Sequence, residues 1–183
     1  TLERGRGAGD IRSMNLLDEA PVGWEDLLVA TWLAELATWM LMSGFLKHPD
    51  RAIAGLARKI GEETYFHLKY AHGWMRIVGD GKRESRRFVR DFEKRYPLAL
   101  QWFGPPRAVD RLARSGLRDV PLAKLRQAFA REAAAAAEKL GTGLTLATTA
   151  PMGKGWRREA RREGALPAGL FEVTRFKDQE IAH

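Results

Sequence analysis

Three side chains carry the chemistry this sequence offers most plainly. Glu35 interrupts an apolar run from Leu27 to Leu46, and Glu63 and His67 lie four residues apart in a second helical run. Carboxylate oxygen and neutral imidazole nitrogen are the donors of a non-haem iron site that keeps positions open for dioxygen. In a four-helix bundle the di-iron pattern takes a Glu from each of two helices and a Glu-x-x-His pair from each of the other two. The spacing here departs from that pattern. Thr64, which is no iron ligand, stands three residues before His67, and neither His48 nor His72 has an acid three residues before it. At most half of a site is present, so Glu35, Glu63 and His67 are metal candidates only as a vestige. The spacing favours an internal hydrogen-bond network, with both carboxylates holding His67 across a helix pair, and no iron bound by this chain.

Two long helices must position these groups. The first runs from Trp24 to about Lys47 and is apolar almost all round, with Thr31, Glu35 and Thr38 forming one polar stripe. His48-Pro49-Asp50 ends it, because the residue before proline avoids the helical region, and Asp50 is a good cap for the next helix. The second helix carries Ile53, Leu56, Ala57, Ile60, Leu68, Ala71, Trp74, Met75 and Val78 on its apolar side. Glu63 and His67 fall on that side too, so both are expected to point inward. Gly79-Asp80-Gly81 ends this helix. The short connection between the two predicts an antiparallel pair.

A third helix begins near Glu84, with Phe88, Val89, Phe92 and Tyr96 inward and Arg86, Arg87, Arg90, Lys94 and Arg95 outward. Pro97 is expected to kink or restart it. Val109 to Ser115 reads as one or two helical turns. A last long helix starts at Asp119-Val120-Pro121 and runs through five alanines, Ala133 to Ala137, to a stop at Gly141. Thr145 to Ala150 reads as an extended segment, Lys154 to Arg162 as a basic helical turn or two, and Glu172 to Ile181 as an ill-defined tail. The expected fold is all-α: a helical bundle over residues 24–145, an irregular segment before it over 1–23, and a basic, mostly irregular tail over 146–183. Met14-Asn15-Leu16-Leu17 is the expected anchor of the first segment on the core.

A chain of 183 residues that is 45% hydrophobic can bury a substantial single core. The absence of cysteine removes disulfides, thiolate metal sites and cysteine nucleophiles, and fits a reducing cytoplasm. The first twenty residues are polar and glycine-rich, unlike a secretory leader. Leu27 to Leu46 is long enough to cross a bilayer, but Glu35 would sit near its middle and Trp39 too deep for an interfacial belt. A buried bundle helix is therefore expected, with no membrane partner.

The net charge is +8, and residues 107–163 hold thirteen Lys or Arg against six Asp or Glu. Lys154, Arg157, Arg158, Arg161 and Arg162 form a cluster suited to an anion such as coenzyme phosphate, or to an acidic partner. The Arg-rich third helix offers an alternative, nucleic-acid binding through phosphates, but no recognition module accompanies it and nucleic acid is not the favoured partner. Gly141-Thr142-Gly143 and Met152-Gly153-Lys154-Gly155 lack phosphate-loop spacing, and no nucleophile elbow is present. Trp32, Trp39, Met40, Trp74 and Met75 read as core. Six tryptophans exceed what one small bundle needs and hint at an interface.

The run Glu63-Thr64-Tyr65-Phe66-His67-Leu68-Lys69-Tyr70-Ala71-His72-Gly73-Trp74, followed by Gly79-Asp80-Gly81, resembles the phenylacetic acid catabolic protein family. Within it, the likeness is greatest to the structural subunits of phenylacetyl-CoA epoxidases. It extends more weakly from Trp24 to about Thr145 and takes in an acid at Glu35 and the segment Leu125-Arg126-Gln127-Ala128. The resemblance implies a ferritin-like bundle and a non-catalytic subunit of a multicomponent ring-oxidising monooxygenase. It also implies a homologous catalytic subunit as partner, holding the di-iron centre, within a homo- or hetero-oligomer. The four-residue step from Glu63 to His67 matches the structural subunit. The family carries a further helical pair upstream, whereas about twenty-three residues precede the first helix here. The bundle is therefore expected to be completed by a partner or by further chain. The alternative is a divergent ferritin-like di-iron enzyme whose missing ligands come from a partner chain.

Overall fold

Helix α1, Trp24–Ser43, runs through the middle of the molecule because most of its faces are apolar. In the structure, a computed structural model that describes residues 12–79, 81–158 and 160–169, it packs against three other helices. Leu28, Val29, Leu33, Leu36 and Ala37 are buried at these contacts. Helix α2, Arg51–Val78, returns alongside it after the His48-Pro49-Asp50 turn. Asp50 caps it as expected, accepting the Ala52 N–H at 2.8 Å. Gly61 lets the two helices approach: a Cβ there would lie 2.3 Å from Cζ3 of Trp39 on α1.

Helix α3, Lys82–Gln101, continues through Pro97 without a break, where the sequence suggested a kink or restart. The proline removes one N–H, orphaning the carbonyl of Glu93, a solvent-exposed residue where water can satisfy it. Phe88, Phe92, Tyr96 and Leu100 bury the inner face of α3. After the short α4, Arg111–Arg114, helix α5, Leu122–Lys139, lies against α1 and α3. Ala133, Ala136 and Ala137 let it come close, and Phe129 stacks on Tyr96 with ring centroids 5.7 Å apart. Gly141, at φ +65°, ends the approach in the left-handed region that glycine tolerates.

The N-terminal segment is pinned by Met14 and Leu16, both buried, around a 3-10 turn at Asn15–Leu17. The stretch over 145–150 carries no regular secondary structure, and Tyr96 donates to the Ala147 carbonyl at 2.5 Å. The basic stretch expected to be helical is instead a two-stranded antiparallel hairpin, β1 Trp156–Arg157 with β2 Arg162–Glu163. Glycines at 153 and 155 weaken a helix there, and Arg161 turns the chain at φ +54°. Apart from this hairpin, the regular structure among the described residues is helical, an all-α bundle. No helix among them is long and apolar enough to cross a membrane. The entry over 1–11 and the tail over 172–181 lie outside the described residues.

Candidate functional site

Helices α1 and α2 bring two of the three polar candidates together. His67 Nδ1 lies 3.0 Å from Glu35 Oε1, and Thr64 Oγ1 donates to Glu35 Oε2 at 3.4 Å. Both oxygens of Glu35 thus meet α2. The expected inward placement does not hold: the His67 side chain is 58% exposed, that of Glu35 28%, and Glu63 is exposed. The cause is the register of α2. Its buried residues are Ala57, Thr64, Ala71 and Met75, a seam in steps of seven and four that passes through Thr64. Glu63 lies one residue, about 100° of helix, away from that seam.

This arrangement fails the donor test for a di-iron centre. Among the described residues, no group of three or more His, Asp or Glu side chains is placed to hold a metal ion. Glu35 and His67 supply two donors, and the third position on that side is filled by Thr64.

A second seam runs along α2, and Tyr70 and Ile77 join it beyond the apolar positions named from the sequence. Ile53, Leu56, Ile60, Glu63, His67, Tyr70, Trp74 and Ile77 follow one another in alternating steps of three and four residues. That is the spacing of a helix face built to receive another helix. Yet Ile53, Leu56, Tyr70, Trp74 and Ile77 are all exposed. Trp24 and Leu27, exposed on α1, extend the patch, with the Trp24 and Trp74 rings edge to face at 6.1 Å. Trp74 therefore does not belong to the core, while Trp32 and Met75 do. Glu63 and His67 are the two polar positions in the middle of this open seam.

The cations of α3 are largely turned onto carboxylates. Arg95, expected outside, is 1% exposed and grips Asp26 of α1 through two bonds of 2.7 Å. It also donates to the Leu16 and Glu19 carbonyls, which ties the N-terminal segment to the bundle. The Arg95 guanidinium holds the Asp26 carboxyl below its ordinary range, against the opposing effect of burial. Arg87 pairs with Glu25 at 2.7 Å and Lys94 with Glu19 at 2.8 Å. Asp91 is the odd member: burial pushes its pKa up, although Arg90 binds one of its oxygens at 2.8 Å. Its Oδ2 is buried with no partner. Burial, with Lys139 and Arg76 nearby, pushes the pKa of His72 down, which favours a neutral imidazole between α2 and α5.

The basic cluster on the hairpin divides. Lys154, Arg157 and Arg158 are exposed, and Arg157 donates to the Gly164 carbonyl at 3.1 Å. Arg162 turns inward to Asp18, 2.6 Å away, and to the Ala165 carbonyl. Arg161 lies over the Trp102 ring and donates to the Trp102 carbonyl at 2.7 Å. Arg158 and Arg161 line a cavity of about 180 Å³ together with Arg111, Arg118 and Trp156. Nothing in the sequence linked Arg118 to the hairpin, because the two lie some forty residues apart and only the fold joins them.

The family model described as phenylacetic acid catabolic protein matches residues 1–165. No curated protein matches the chain.

Proposed function

The chain belongs to the phenylacetic acid catabolic protein family, which gives it a role in phenylacetate catabolism, and from that premise we propose that it acts as the non-catalytic subunit of a multicomponent ring-oxidising monooxygenase. Its partner in this reading is a homologous helical subunit that holds the di-iron centre and epoxidises the ring of phenylacetyl-CoA. The observation that carries the proposal is the open three-and-four seam on α2, from Ile53 to Ile77, beside Trp24 and Leu27 of α1. Such a seam is half of a helix-packing interface, and two further helices laid on it would complete a four-helix core. The donor set of Glu35 and His67 supports the non-catalytic assignment, because it is too small for a di-iron centre.

The seam is tested with the purified chain and a catalytic homologue mixed at known concentration. Trp74→Glu places a charge beside Trp24 on the seam and should weaken association at least about thirty-fold, since buried aromatic anchors carry about 2 kcal/mol or more. Unchanged association would remove the seam from the interface. Glu63 and His67 in the middle of the seam favour one other reading, a di-iron enzyme completed by ligands from a partner chain. It requires iron that is lost with His67→Ala.

A further inference from the structure

We propose that the cavity between α4, the Gly104 turn and the β1–β2 hairpin is a binding site for the phosphate group of a small molecule. The inference is independent of the subunit role proposed above. It begins with the cavity's charges. Four guanidinium groups line it, those of Arg111, Arg118, Arg158 and Arg161, and Asp110 is the one carboxylate among its lining residues. That carboxylate is already committed. Asp110 pairs with Arg118, accepts the Ala113 N–H at 3.1 Å and accepts the Leu122 N–H at 2.7 Å. The remaining three guanidiniums have no carboxylate partner among the described residues.

The donors are the second observation. Arg161 Nη2, Trp156 Nε1 and Arg118 Nε are each buried with no hydrogen-bond partner. Buried N–H groups are almost always satisfied, and three orphans on side chains lining one cavity point to an acceptor that the protein does not provide. A phosphate offers three or more acceptor oxygens and up to two charges, where a carboxylate offers two oxygens and one charge. The guanidinium fork suits it in geometry as well. A volume of about 180 Å³ is below the range of drug-sized ligand sites, roughly 300–1,000 Å³, and suits a compact group.

The third observation is that the surroundings are fixed. Arg126 donates to the carbonyls of Phe103, Gly104 and Pro105, which sets the turn forming the floor. A Cβ on Gly104 would stand 3.3 Å from Trp156 Cη2, and its φ of +77° favours glycine. Arg161 holds φ +54°, costly for a side chain of its size. Burial, with Arg118 and Arg126 nearby, pushes the Arg161 pKa down to about 10. Backbone strain and a charge set among other guanidiniums thus fall together on one residue of the cavity wall.

The test uses the full chain, with thermal melting and tryptophan fluorescence read against inorganic phosphate, methyl phosphate and acetate at constant ionic strength. Phosphate and methyl phosphate should each raise the melting temperature and saturate at one site. Arg158→Gln and Arg161→Gly should each weaken phosphate binding at least about ten-fold, the loss expected of a hydrogen bond to a charged group. Lys154→Gln, on an exposed side chain outside the cavity, should leave it unchanged. Arg161→Gly relieves the left-handed strain but also removes the bond to the Trp102 carbonyl, so phosphate binding by Arg158→Gln, which keeps that bond, is the cleaner reading. The proposal is overturned if phosphate produces no saturable shift, if Lys154→Gln costs as much as Arg158→Gln, or if acetate competes as well as phosphate. The last result would assign the cavity to a carboxylate.

Discussion

Glu35 on α1 and His67 on α2 meet at 3.0 Å on a face of the helix pair that stays open among the described residues. In the proposed reading, this polar pair and the docking surface share one face. Glu35 is held by His67 and Thr64, while Glu63 stays exposed one helical turn before His67 on the outer seam.

The seam predicts a separation between stability and association. Tyr70 and Trp74 are exposed, so Tyr70→Ser and Trp74→Ser should change the melting temperature of the isolated chain little, as surface substitutions usually stay within about 0.5 kcal/mol. Binding to a catalytic homologue should fall at least about thirty-fold in each. Calorimetry and a binding titration on the same variants check both halves.

Arg95 and Asp26 predict the opposite pattern. Removing one partner leaves a buried charge, so Asp26→Ala or Arg95→Ala should cost about 3–5 kcal/mol in denaturant unfolding. Replacing both by apolar residues of similar volume should cost less than either single change. If the double variant is the least stable of the three, the pair contributes more than its desolvation removes.

Asp91 gives a pH dependence whose sign follows from burial. Its pKa is raised in the folded state, so the protonated form is favoured there. The folded protein then binds more protons than the unfolded chain in the window above the ordinary carboxylate pKa, and this group lowers stability as pH rises through it. Asp91→Asn should therefore raise the melting temperature at pH 7 relative to the parent, and the gain should shrink toward pH 3. Melting curves across that range measure it; a gain that grows on acidification would contradict the assignment.

The helices were legible because their signals are local. Asp50 caps α2, and Gly141 closes the end of α5, each through chemistry visible within a few residues. Two expectations failed where tertiary contacts decide. Arg95 reads as one of several outward cations on α3, but Asp26, sixty-nine residues away, draws it into the core. The hairpin at Trp156–Glu163 reads as helix because Lys and Arg are good helix formers, yet the glycines before it and the left-handed Arg161 override propensity. The placement of Glu63 fails for a subtler reason. Ala57, Ala71 and Met75 lie on a packed seam and Ile53, Leu56 and Trp74 on an open one, and the apolar set read from the sequence merges them while leaving out Tyr70 and Ile77. Separating the steps of three and four resolves the second seam from sequence alone.

The most direct test of the subunit assignment is the iron content of this chain purified alone and in complex with its catalytic homologue. The assignment predicts no stoichiometric iron in the chain alone. In the complex, it predicts iron that is unchanged when Glu35→Ala and His67→Ala are introduced here. Stoichiometric iron in the isolated chain, or iron lost from the complex with either substitution, would contradict it and make this chain part of the metal centre.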